Sequence, residues 1–196
     1  MGTGDFTVEC WVKKDNITNA QGIFQISSTS GGLEGDPNYA STIAAAYGSH
    51  WHTYGAGNYN TDSSQTPARK GQWQHVAYVR HSGTSKFYVD GEELISYTDT
   101  TNYNGTYIAI GGYYSTTYLM DGKISNFRVV KGTAVYTSAF RPPTKPLTNI
   151  SGTVLLCCNN SSITGSTVTP VTLNSNGDPT ASTDSPFDDP NAFKFG

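Results

Sequence analysis

Residues 6–13 read Phe-Thr-Val-Glu-Cys-Trp-Val-Lys, and their side chains fall into two interleaved sets. Phe6, Val8, Cys10 and Val12 share one face; Thr7, Glu9, Trp11 and Lys13 share the other. A period of two can bury one set and leave the other outside only in an extended strand, which removes helices from consideration over this stretch. The pattern returns between Trp73 and Arg80, with Val76, Tyr78 and Arg80 opposite His75, Ala77 and Val79, and again between Lys123 and Val130. Ser82-Gly83 is a turn, and Asp90-Gly91 suits a two-residue type I′ turn because both residues tolerate positive φ. Trp73–Arg80, Lys86–Val89 and Glu93–Tyr97 therefore form a meander.

Shorter strand signals lie at Ile23–Ile26, Ser41–Tyr47, His50–Tyr54, Tyr107–Ile110, Val154–Cys157 and Val168–Leu173. Residues 27–40 and 55–71 read as loops. Pro142-Pro143 and Pro146 keep residues 131–147 out of any central strand. Twenty-one glycines and nine prolines punctuate the chain, as many short strands require. About ten strands without a convincing helix imply an all-β fold, a two-sheet antiparallel jelly-roll sandwich. The jelly roll is expected over residues 1–158. Residues 159–196 turn rich in Ser, Thr and Asn and read as a C-terminal extension, either a linker or a returning edge strand. The expected core is Phe6, Val8, Val76, Tyr78, Phe87, Val89, Ile108, Ile110, Phe127 and Val129.

Charge narrows the function. The formal charge is −3, the charged fraction 14%, and no basic patch exists, so nucleic acid is not an expected partner. No apolar run approaches the ~20 residues of a membrane span, so membrane insertion is not expected. Cys10, Cys157 and Cys158 are an odd number and read as buried thiols. A bridge between Cys157 and Cys158 is disfavoured, because neighbours in a strand point to opposite faces.

Catalysis is not expected either. A retaining glycosidase needs two carboxylates ~5–5.5 Å apart. Glu9 stands alone on its strand, and Glu92 and Glu93 are adjacent, hence pointed apart. No Gly-x-Ser-x-Gly elbow occurs. His75 reads as structural, and the pair His50 and His52 lacks further metal ligands. Sugar recognition is better supplied, since it needs flat aromatic faces and amide or carboxylate partners. Trp51, His52, Tyr54, Asn58, Tyr59, Asn60 and Asp62 cluster in sequence, and Tyr113, Tyr114 and Tyr118 add a second group.

Four segments carry a family resemblance: Gly4-Asp5-Phe6-Thr7-Val8-Glu9-Cys10-Trp11-Val12; Gln72-Trp73-Gln74-His75-Val76-Ala77 running on to Phe87-Tyr88-Val89-Asp90-Gly91; Ile108-Ala109-Ile110-Gly111-Gly112; and Asp121-Gly122-Lys123-Ile124-Ser125-Asn126-Phe127-Arg128-Val129. In this order the chain resembles the laminin-G/pentraxin-like branch of the concanavalin-A-like lectin/glucanase superfamily. Lys131-Gly132-Thr133-Ala134-Val135-Tyr136-Thr137, with Phe140, Pro142-Pro143 and Pro146-Leu147, is similar to versions found in virion proteins of tailed phages, marine ones in particular.

The resemblance implies a carbohydrate-binding or adhesion module on a virion or other extracellular surface, with a host-surface glycan as partner. The alternative is a structural virion module that binds other virion proteins or itself; a polysaccharide hydrolase comes third. Many relatives hold Ca²⁺ through loop oxygens, which here implies Asp36, Asn58, Asn60 and Asp62 as ligands if the ion is bound at all. The family's usual strand ahead of Gly4 is missing, which would leave a bare edge beside Phe6–Val12. Ala192-Phe193-Lys194-Phe195-Gly196 alternates, so either this segment returns to cover that edge or residues 159–196 are a linker to a further domain.

Overall fold

A computed structural model describes residues 1–28, 50–55, 57–62, 67–112, 118–169 and 172–187, together with the backbone of 40–44. Twelve strands occur among these residues, and no helix. They are β1 (Phe6–Lys14), β2 (Gln21–Ser27), β3 (Ala40–Ala44), β4 (Trp51–Gly55), β5 (Asn58–Thr61), β6 (Trp73–His81), β7 (Thr84–Val89), β8 (Glu92–Thr98), β9 (Tyr107–Ile110), β10 (Gly122–Lys131), β11 (Thr153–Cys157) and β12 (Ser166–Val168). They form two antiparallel sheets, ordered β12-β11-β10-β1-β6-β7-β8 and β5-β4-β3-β2-β9. This is the expected sandwich.

The two faces of β1 fall as the alternation requires. Phe6, Val8, Cys10 and Val12 enter the core, where they meet Val76 and Tyr78 of β6, Phe24 of β2, Phe87 of β7 and Phe127 of β10. Phe6 and Phe24 both contact the Tyr78 ring, at centroid separations of 5.6 and 6.2 Å. Of the ten expected core residues eight are buried, while Ile108 and Ile110 pack against the core from edge strand β9 and stay partly exposed. Asp90 (φ 50°) and Gly91 (φ 86°) make the expected turn between β7 and β8.

Arg80 points inward and is fully buried. Its guanidinium donates to the carbonyls of Gly2, Gly4 and Thr101 at 2.6–3.0 Å and lies over the rings of Phe6 and Tyr103. Four hydrogen bonds to fixed carbonyls, with the Asp99 carboxylate 3.9 Å away, let a charge close this end of the core. The N-terminus is pinned by the same contacts.

The outer face of the larger sheet is also covered. Residues 132–147 cross it without strand structure. Tyr136 and Phe140 stack with centroids 3.6 Å apart and pack on Ala77, Val79 and Tyr88. Beneath them Glu9 accepts four hydrogen bonds, from Arg128 Nε (3.0 Å) and Nη2 (2.5 Å), His75 Nε2 (3.1 Å) and Tyr136 Oη (2.8 Å). Burial pushes its carboxyl upward, but the His75 hydrogen bond and the Arg128 charge outweigh that and hold it below the ordinary range. His75 is therefore structural, as expected, and Glu9 is occupied.

Several expectations need correction. β1 pairs with β10 on one side and β6 on the other, so no bare edge lies beside Phe6–Val12. The segment 192–196 lies outside the described residues. Residues 58–61, read as loop, form edge strand β5. Among the described residues the strand in the extension is Ser166–Val168, which pairs with β11; residues 170 and 171 of the expected 168–173 lie outside them. All three cysteines are free thiols, as expected, but Cys158 leaves β11 with φ 55°, which brings its Sγ to 3.8 Å from that of Cys157. The argument from opposite faces fails there because the strand has already ended.

Candidate functional site

The outer face of the five-stranded sheet is built by the β4–β5 hairpin. Pairing sets His52 against Thr61, Thr53 against Asn60, Tyr54 against Tyr59 and Gly55 against Asn58. Alternation sends Trp51 and Thr53 inward and His52 and Tyr54 outward. Tyr59 stands edge-on to Tyr54, with centroids 4.9 Å apart and planes at 75°. Tyr54 is buried beneath this pair, whereas Tyr59 is 48% exposed. The hydroxyl of Thr61 and Nδ1 of His52 are hydrogen-bonded at 2.9 Å. Burial lowers the His52 pKa, and the nearby His50 lowers it further.

Register extends this face across the sheet. Ala109, Gln25, Ser41, Tyr54 and Tyr59 fall in one row over β9, β2, β3, β4 and β5. Tyr107, opposite Ser27, lies on the same face and is 49% exposed. Between these two exposed tyrosines the outward residues Gln25, Ser27 and Tyr54 are buried, so Tyr59 and Tyr107 stand at opposite edges of the sheet. Tyr107 and Thr61 were not picked out from the sequence; the outward phase of their strands relative to Tyr59 was the missing signal.

The residues expected at the site divide. Trp51 is corrected: it is 0% exposed, packs against Phe87 at 5.8 Å and belongs to the core. Asp62 is corrected too, being 2% exposed with its amide donating to the Trp51 carbonyl. His52, Tyr54 and Tyr59 come together on the outer face. Asn58 and Asn60 alternate away from Tyr59, and Asn60 Nδ2 donates to the carbonyls of Asn58 and Gly55. Tyr118 is half-buried and its carbonyl accepts from Gly22 N. Tyr113, Tyr114 and Asp36 lie outside the described residues.

Of the residues implied as calcium ligands, Asn58, Asn60 and Asp62 are described and Asp36 is not. Asp62 is enclosed, and the Asn60 amide nitrogen faces backbone carbonyls of the kind a cation would need. No group of three or more His, Cys, Asp or Glu side chains stands together among the described residues.

A family model described as the concanavalin A-like lectin/glucanases superfamily, of the laminin-G type, matches residues 1–135. No curated protein sequence matches the chain. Among solved structures, similarity extends to a candidate carbohydrate-binding protein from Bacteroides ovatus: TM-score 0.59, 16% identity, 81% of this chain and 46% of that one. It extends also to domain 4 of AbnA, an extracellular arabinanase of Geobacillus stearothermophilus, in complex with arabinotriose: TM-score 0.51, 21% identity, 66% of this chain and 61% of that one. The chain thus spans about half the length of the first and three fifths of the second. At these identities the likeness is one of fold.

Proposed function

The chain belongs to the concanavalin A-like lectin/glucanases superfamily, and from that premise we propose that it is a non-catalytic carbohydrate-binding module. The observation that carries the reading is the exposed Tyr59 ring propped edge-on by Tyr54 at the β5 edge of the sheet, with the His52–Thr61 pair beside it. A sugar offers C–H faces to stack on aromatic rings and hydroxyls to pair with polar side chains. The non-catalytic part is supported by Glu9, whose carboxylate is buried under Tyr136 with four donors on it.

The setting we propose is extracellular, on a virion surface, with a host-surface glycan as partner. Support comes from the similarity of Lys131–Leu147 to phage virion versions of the domain. A glycan array tests the binding reading. The expected result is millimolar-to-micromolar binding that Tyr59→Ala weakens while the melting curve stays unchanged. No glycan hit, together with ordered oligomers in solution, would favour a structural module that binds only protein.

A further inference from the structure

The C-terminal extension returns to the outer face of the larger sheet at a place the register has prepared. Lys123 of β10, Lys13 of β1 and Trp73 of β6 are direct cross-strand partners, so two ammonium groups and an indole N–H stand in one row. Asp184 sits on that row. Its Oδ2 accepts from Lys13 Nζ at 2.8 Å and Lys123 Nζ at 2.7 Å, and its Oδ1 accepts from Trp73 Nε1 at 3.1 Å. These donors, Lys123 foremost, hold the carboxyl well below its ordinary range. Three residues on, Phe187 meets Trp11, in the neighbouring row, edge-to-face at 5.8 Å. The Trp11 Nε1–H is buried there with no hydrogen-bond partner among the described residues.

What brings Asp184 to this place is slight. Every residue from 174 to 183 is exposed. The anchor is thus a carboxylate and one ring on the end of a solvated tether. Its ion pairs are partly open to water, which makes them weak relative to the sheet below.

We propose that the Lys123–Lys13–Trp73 row, with Trp11, is a binding site for the carboxylate of a uronic-acid residue in a polysaccharide, and that the Asp184–Phe187 segment is a built-in competitor that covers it. A uronate presents what the segment presents: a carboxylate for the two ammonium groups and the indole N–H, and an adjoining ring face for Trp11. The unpartnered Trp11 N–H gives a ring hydroxyl an acceptor role that Phe187 cannot fill. The proposal rests on the reading of the domain as carbohydrate-binding, but its residues and the charge of its ligand differ from those of the Tyr59 face.

The test uses the full chain with a short oligogalacturonate as probe, a neutral galactose oligomer as reference, and tryptophan fluorescence as readout. Asp184→Asn weakens the competitor, because an amide is not drawn to the ammonium groups. It is expected to tighten oligogalacturonate binding about tenfold, the gain when a competitor covers a site about nine-tenths of the time. Phe187→Ala, which leaves every charge of the row in place, should shift affinity in the same direction. Adding Lys13→Gln and Lys123→Gln to Asp184→Asn should abolish binding, and salt should weaken it. Affinity no higher than wild type in both single variants would overturn the proposal, as would equal binding of the neutral oligomer or persistence in the triple variant. Acetate binding as tightly as the oligomer would refute the sugar assignment. Tyr59→Ala in the Asp184→Asn background should leave the uronate response intact; its loss would mean that one face serves both ligands and would sink the separate site.

Discussion

Replacing Glu9 by Gln should destabilise the domain more than any other single change on the outer face of the larger sheet. Glu9 and His75 side chains are 0% exposed and Arg128 is 6% exposed, so water cannot compensate what the substitution removes. The carboxylate accepts four hydrogen bonds, two from Arg128 and one each from His75 and Tyr136. A glutamine side chain keeps one acceptor oxygen and sets an NH₂ group against donors on the other side. It also leaves the Arg128 guanidinium buried without a counter-charge, with the Thr148 carbonyl at 2.8 Å and at most the one glutamine oxygen to accept from it. Breaking a buried pair in this way costs about 3–5 kcal/mol, a large part of the ~5–15 kcal/mol expected for a whole domain. At ~2–4 °C per kcal/mol for a chain of this size, the melting midpoint should fall by roughly 6–20 °C.

The same pair predicts a pH dependence. The folded-state pKa of Glu9 is depressed, so its contribution is present above the unfolded carboxylate value and lost as pH falls through the folded one. The gap between wild type and Glu9→Gln should therefore narrow in acid. Glu93→Gln is the control: its 2.8 Å pair with Lys86 is solvent-exposed and should cost about 0–1 kcal/mol. Thermal melts of the three proteins from neutral pH into acid decide the matter. A shift under ~2 °C for Glu9→Gln, or one no larger than that of Glu93→Gln, would refute the account of this network.

Three further outcomes are expected. Trp51→Ala should cost about 3–5 kcal/mol by opening the core beside Phe87; an unchanged denaturant midpoint would contradict its placement. Gly91→Ala should cost more than ~1 kcal/mol, because φ is 86° and a Cβ would collide with the Phe140 carbonyl, lifting the cover from the sheet; urea titration reads this, and wild-type stability would contradict it. Three thiols should titrate after denaturation, with Cys10 slow in the native protein because burial raises its pKa and bars reagent; fewer than three would reveal a bridge.

The strands with clean alternation were legible because one face of each is apolar and nothing else satisfies a period of two. β1 and β6 read correctly down to the face. β4 did not, since both of its faces carry aromatics: alternation separates Trp51 and Thr53 from His52 and Tyr54 without saying which pair is inside. β5 was hidden because Asn58-Tyr59-Asn60-Thr61 carries two poor strand formers and is held as an edge by β4 alone. The Glu9–Arg128 pair joins residues 119 apart, and the Asp184 clasp joins residue 184 to residues 13, 73 and 123. Neither leaves a local pattern; both follow from sheet register, which exists only once the strands have paired.

The central claim is that a glycan lies across the outer face of the five-stranded sheet. An NMR titration of the labelled domain with an oligosaccharide identified on the array tests it most directly. The account predicts that shift changes concentrate at His52, Tyr54, Tyr59, Thr61 and Tyr107, leaving core residues such as Val8 and Val76 undisturbed. Changes centred anywhere else, with Tyr59 and Tyr107 silent, would contradict it.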